Sequence, residues 1–135
     1  MKTMPHTASS VTPVIAIHGG AGTLTRSHIS PEQERAYHAA LQEVLCAGQA
    51  VLARGGSALD AVCVAVQALE DCPLFNAGHG AVFTADATHE LDAAVMDGAT
   101  LAAGAVAAVS RVRNPVLAAR AVQQDGQHVL MIGTA

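Results

Sequence analysis

Residues 101–109, Leu-Ala-Ala-Gly-Ala-Val-Ala-Ala-Val, carry no polar side chain at any position. Successive side chains of a strand point to opposite faces, so this segment offers water nothing on either one. It is expected in the middle of a layered structure, covered on both sides. Its neighbours share the two-residue period: 82–85, 90–96 and 101–110 read as three strands. Ala87-Thr88-His89 and Asp97-Gly98 stand where their turns belong. Only 2% of residues are aromatic against 51% hydrophobic, so alanine, valine and leucine must fill the core. With 13% charged residues, disorder is excluded.

Around these strands the period changes. Pro13 to His18 is a short apolar run stopped by Gly19-Gly20-Ala21-Gly22, which reads as a buried strand entering a tight turn. Ser30-Pro31-Glu32-Gln33 combines a capping serine, a first-turn proline and a glutamine able to close a capping box. Tyr37, Leu41, Val44, Gly48, Val51 and Leu52 follow at helical spacing, until Gly55-Gly56 ends the helix. Ser57 with Asp60 marks a second capping box, and Leu59, Val62, Val66 and Leu69 share one face of the helix behind it. Asn114-Pro115 is expected to cap a third helix to about Gln124, and Val129 to Ile132 forms a last strand. Sheets and helices in stacked layers, an α/β fold, are the expectation. At 135 residues the chain suits one compact domain or half of a larger one. A buried strand followed at once by Gly133-Thr134-Ala135 fits the half, and the low charge fits a surface covered by another chain.

A net charge of −4 with scattered basic residues gives no footprint for nucleic acid or an anionic membrane. No segment has the apolar length of a membrane span. Residues 1–12 read as a flexible tail, with no apolar stretch behind Lys2 to make a secretory signal. Cys46, Cys63 and Cys72 are odd in number and lack metal-type pairing, as expected of reduced thiols in a cytoplasmic protein.

Three clusters could carry chemistry. His18-Gly19-Gly20-Ala21-Gly22 lacks the Gly-x-Gly-x-x-Gly and Gly-Lys-Ser/Thr patterns, so a turn with positive φ is favoured over a phosphate cradle. In Asp71-Cys72-Pro73-Leu74-Phe75-Asn76-Ala77-Gly78-His79-Gly80, an irregular backbone needs partners for its carbonyls. A bound cation would supply them, and a packed loop is the plainer alternative. Glu90, Asp92 and Asp97 read better as hairpin acids than as an acid/base pair. No Gly-x-Ser-x-Gly, Ser-His-Asp or zinc-type spacing is present.

Five stretches in order change this picture. Val14 to Gly22, Ser57 to Val62, Cys72 to Phe83, Glu90 to Gly98 and Arg113 to Val116 together resemble the plant-type L-asparaginase and isoaspartyl peptidase family. Leu74-Phe75-Asn76-Ala77-Gly78 is closer to that branch than to glycosylasparaginases, which share a looser version. The resemblance implies an N-terminal-nucleophile hydrolase, a four-layer αββα sandwich of which this chain supplies about half, over residues 13–135. The precursor would cut itself before a threonine, giving this α chain and a β chain, associated as a dimer of αβ units. The new threonine would attack the side-chain amide of L-asparagine or the isopeptide bond of a β-aspartyl dipeptide, its own amine serving as base. That nucleophile would lie on the β chain. Gly133-Thr134 mimics the cleavage pair but falls well before the implied junction.

Residue by residue, Asn76 matches an asparagine facing the threonine and helping to hold water or the developing oxyanion. The backbone carbonyls of Leu69, Glu70, Cys72, Phe75, Ala77 and His79 match a loop around a structural sodium ion. His18, Gly19 and Gly20 match a glycine loop near the nucleophile, implicated either in self-cleavage or in packing. No organic cofactor is implied. Glycosylasparaginase-like specificity and a non-catalytic ligand-binding or scaffold domain are the rival expectations.

Overall fold

A computed structural model describes residues 12–22 and 28–133. Most of the expected N-terminal tail and Thr134 therefore lie outside the described residues. Three helices and one three-stranded sheet are present among them: α1 (Pro31–Ala53), α2 (Ala58–Asp71), β1 (Leu91–Met96), β2 (Ala103–Val109), α3 (Pro115–Asp125) and β3 (Leu130–Ile132). The sheet order is β1-β2-β3, with β1 antiparallel and β3 parallel to β2. A single 3-10 turn, Gly78–Gly80, interrupts the loop after α2.

The start of α1 follows its sequence signals closely. Ser30 Oγ accepts the Gln33 N–H at 3.2 Å, and Gln33 Oε1 accepts the Ser30 N–H at 2.8 Å, so both halves of the capping box are made. At α2 only one half forms as expected. Ser57 Oγ accepts the Asp60 N–H at 3.0 Å, but the Asp60 carboxylate takes the Ser57 hydroxyl at 2.7 Å instead of a backbone N–H. The two helices pack along each other after the turn at Gly55-Gly56. In the seam between them, Val44, Gly48, Ala61 and Ala65 are buried.

The sheet packs one face on α3 and α2. Val95, Val106 and Val109 meet Cys63, Val116, Ala119 and Val122 in this core. Gly104 makes the close approach possible, because a Cβ there would run into the Ala119 carbonyl and the Gln123 N–H of α3. Between Leu91 and Ala93 the register shifts. Ala108 opposite takes a φ of 54° and donates its N–H to the Asp92 carboxylate at 2.8 Å, so Asp92 satisfies the bulged backbone.

Four sequence expectations are corrected. Pro13 to His18 is not a strand: no strand lies beside it among the described residues, and a ladder needs a partner. Ile15 instead packs its side chain into the notch at Gly48, while Val14 stays 88% exposed. Val82 to Ala85 is not a strand either. The Val82 N–H donates to the Asn76 side chain at 3.0 Å, and the chain folds at once into a turn closed between Thr84 and Thr88. Within the described residues β2 is covered on one side, by α3, and its other face, with Ala103, Ala105 and Ala107, is half-exposed, so a second cover would have to come from outside them. Leu101 belongs to the preceding turn rather than to the strand, with a φ of 61° and its N–H donated to the Asp97 carbonyl.

The fourth correction concerns α3. Asn114 occupies the capping position, but its side chain does not cap; its amide donates to the Asp71 carboxylate at 3.2 Å. The cap comes from α2 instead. Glu70, 2% exposed, accepts the Val116 N–H on Oε1 at 2.9 Å.

Candidate active site

Between the glycine segment and the loop after α2 lies a cavity of about 600 Å³. His18, Gly19, Gly20, Ala21 and Gly22 line one side, and Leu74, Phe75, Asn76 and Ala77 the other, with Tyr37 of α1 and Leu69 of α2 between them. Residues some sixty positions apart in sequence thus share one wall-to-wall site, and every candidate of the glycine loop faces the same space as Asn76.

The glycine segment is held in two ways. Gly19 is pressed against Leu41 and Phe75, where an added Cβ would come within 2.9 Å of the Leu41 side chain. Gly20 has a φ of 118° and donates its N–H to His18 Nδ1 at 3.2 Å, so the imidazole closes the turn. Phe75, 7% exposed, anchors the opposite side and meets the Tyr37 ring edge-on, with centroids 6.0 Å apart.

Asn76 is oriented by its own oxygen. Oδ1 accepts the Val82 N–H at 3.0 Å, which fixes the plane of the amide and leaves the NH2 group as its donor. The residue borders the main cavity and also a second one of about 230 Å³, formed with Glu70, Gly78, Glu90, Asp92 and Pro115. A fixed amide donor at the edge of a cavity can stabilise negative charge developing on a substrate oxygen or hold an attacking water.

Leu69 to Gly80 coils tightly enough to crowd its carbonyls. A Cβ on Gly78 would overlap the Glu70 carbonyl, and one on Gly80 would overlap that of Phe75 and come within 2.8 Å of that of Pro73. Backbone N–H groups bond the carbonyls of Leu69, Cys72, Phe75 and Ala77, each of which keeps a second lone pair. No backbone hydrogen bond of the loop ends on Glu70 or His79. The carbonyls of Leu69 and Glu70 at the end of α2 and of Cys72, Phe75, Ala77 and His79 in the loop behind it are the ones that could hold a hard cation.

Beside this coil stand the two acids that end α2. Burial pushes the Glu70 carboxyl above its ordinary range, while the Val116 N–H and then the nearby Asn114 amide pull it back; Oε2 is buried and accepts no hydrogen bond of good geometry among the described residues. Asp71 is held below its range by the Asn114 amide and then by Arg113, whose Nε lies 3.1 Å away. Neither carboxylate had been assigned a role from sequence. The available signal was their place: two acids in the last turn of a helix oppose its dipole and call for a compensating partner elsewhere.

A family model described as asparaginase matches residues 11–135. The chain belongs to the asparaginase family. It is 63% identical over 120 residues to the isoaspartyl peptidase of Salmonella typhimurium, covering 89% of this chain and 38% of that protein. The isoaspartyl peptidase of Escherichia coli is 62% identical over 120 residues, again 89% of this chain and 37% of the relative. The plant-type L-asparaginase of Thermococcus kodakarensis is 50% identical over 119 residues, 88% of this chain and 37% of its own length. This family chain thus spans less than two-fifths of the curated relatives it matches. No described helix is long and apolar enough to cross a membrane.

Proposed function

We infer that this chain is the α part of an amidohydrolase that converts L-asparagine to aspartate and ammonia and cleaves β-aspartyl dipeptides. One observation carries the reading: in an asparaginase-family chain, an asparagine whose amide is fixed through its oxygen lines a cavity together with the glycine loop. Half of a site is thereby supplied. The reacting threonine, freed by self-cleavage of the precursor, comes with a β chain, whose amine removes the hydroxyl proton as the oxygen attacks the substrate carbonyl. Asn76 steadies the oxyanion or the hydrolytic water, and the turn at His18–Gly20 shapes the side of the site where the chains meet. A sodium ion on the carbonyls of the 69–79 coil stiffens the loop that carries Asn76.

The architecture is read in the same way. The uncovered sheet face receives a second sheet from the β chain, completing a four-layer αββα sandwich, and two αβ units pair. Three unpaired cysteines accord with a reducing, cytoplasmic setting. Expression of the full-length precursor tests the whole proposal. Maturation should yield a second chain beginning with threonine, and the assembled protein should release ammonia from L-asparagine and cleave β-aspartyl-leucine. A mature two-chain protein inert to both, but active on a glycosylated asparagine, would move the assignment to the glycosylasparaginase side. Inertness to all three substrates would leave a binding or scaffold domain.

A further inference from the structure

We propose that Glu70 is a positioning residue for Asn76, tying the coil that carries this amide to the N-terminus of α3. The inference rests on the amidohydrolase reading of the cavity.

Glu70 acts through both of its ends. Its carboxylate reaches 46 residues along the chain to accept the Val116 N–H at 2.9 Å, in a buried setting. Its carbonyl and Cβ form the seat of Gly78, where no side chain would fit. Gly78 opens the 3-10 turn that separates Asn76 from Ala81 and Val82, and the Val82 N–H holds the Asn76 oxygen. A shift of Glu70 is therefore passed to Gly78, to the position of Val82, and so to the amide. Asp71 braces the same junction from outside, gripping Arg113 and Asn114.

A purely stabilising role explains these contacts poorly. Asn114 stands at the capping position and could serve α3 with its own side chain, as asparagine commonly does. Instead its hydrogen bond goes to Asp71 while its amide also lies near enough to favour the Glu70 charge, and the cap comes from an acid whose second oxygen is buried without a hydrogen bond of good geometry among the described residues. That acid sits at the end of α2, where the helix dipole disfavours it. These costs are compensated if the carboxylate has to join two elements, which a local cap cannot do.

The test uses the assembled full-length protein with Glu70→Ala, Asn76→Ala, the double variant and Glu70→Gln. Glu70→Ala should lower kcat about tenfold, inside the roughly 10²-fold cost of a 1 Å misplacement, with KM changed by less than about twofold. Added to Asn76→Ala it should cause no further loss, because the group it positions is already gone. Glu70→Gln keeps an oxygen for the Val116 N–H and should stay within about threefold of the native kcat. Losses that multiply in the double variant, or a glutamine no better than alanine, overturn the proposal. If Glu70→Ala does not assemble, Glu70→Asp, one methylene shorter, goes through the same cycle. Hydrogen exchange supplies a readout independent of turnover. Glu70→Ala should speed exchange of the Val82 N–H and leave the α1 amides near Val44 unchanged; unaltered protection at Val82 refutes the tie. A native protein without turnover would sink the amidohydrolase reading while leaving this exchange test intact.

Discussion

Asn76 divides its side chain between two tasks, and two substitutions separate them. The oxygen holds the Val82 N–H at 3.0 Å; the NH2 group is the side chain's donor, on a residue that lines the cavity. Asn76→Ala removes both. Asn76→Asp keeps an acceptor for Val82 and removes the donor, putting a negative charge where an oxyanion would form. Loss of one preorganised oxyanion donor costs about 2.7–4 kcal/mol, a fall in kcat of roughly 10²–10³. The Val82 hydrogen bond lies at an exposed residue, so its removal should cost only about 0.5–1.5 kcal/mol of stability. In the assembled full-length protein, on the proposed reading, both variants should therefore lose kcat on that scale, with only the alanine protein also showing weaker resistance to denaturant. The assay is steady-state ammonia release beside a urea melt. An aspartate variant with native kcat would refute the reasoning, because the donor would then contribute nothing. So would an alanine variant whose lost activity merely tracked its unfolded fraction.

Other consequences are more local. Gly104→Ala should destabilise the fold by about 1–3 kcal/mol, since the new Cβ meets α3 backbone at Ala119 and Gln123, which cannot rotate away; a shift below a few tenths in a denaturant melt would show that α3 yields freely. Ser30→Ala breaks half of the α1 capping box and should cost about 1 kcal/mol, checked by the same melt, with unchanged stability as the contrary result. Asp97 is held below the ordinary aspartate value near 3.9, chiefly by the Ala99 N–H that donates to it at 2.8 Å. An acid whose folded value is depressed stabilises the protein above its unfolded value, and that contribution is lost as pH falls through the folded one. Asp97→Asn should therefore flatten the acid limb of the stability profile, and carbon NMR should place the Asp97 titration below 3.9; a midpoint at or above it would contradict the turn geometry.

What the sequence disclosed depended on how local each cause is. α1 was readable because Ser30, Pro31 and Gln33 set its start within one turn, and the spacing from Tyr37 to Leu52 set its face. β1 was readable from its two-residue period and β2 from its unbroken apolar run, though the hairpin turn runs on to Leu101, whose left-handed φ no pattern at a leucine announces. The segments 13–18 and 82–85 have strand composition without strand structure, because a strand needs a neighbour to pair with and none of the described residues pairs with them. Asn114 misled for a similar reason. Its residue type favours capping, but Asp71, 43 positions away, competes for the amide and Glu70 takes over the cap. At the site, the resemblance supplied Asn76 and the glycine loop, and the fold brings them to one cavity. Glu70 as a cap and Tyr37 as a wall emerge only from tertiary packing.

The uncovered sheet face shows why the incomplete strand pattern and the half-site belong to one account. Along it stand Ala94 and Met96 of β1, Ala103, Ala105 and Ala107 of β2, and Leu130 and Ile132 of β3, apolar and none buried, with Asp92 at the bulge the one acid on this side of β1. Aligned sheets pack about 10 Å apart, a gap that interdigitating side chains must fill. Three alanines along the central strand cannot fill their share, so any sheet laid on this face must bring the larger residues itself. Such a face is shaped to receive bulk. In the proposed sandwich the strands that cover it belong to the chain whose first residue is the reacting threonine. Docking of that sheet and delivery of the nucleophile would then be one event, with Asn76 already oriented from this side by the Val82 N–H.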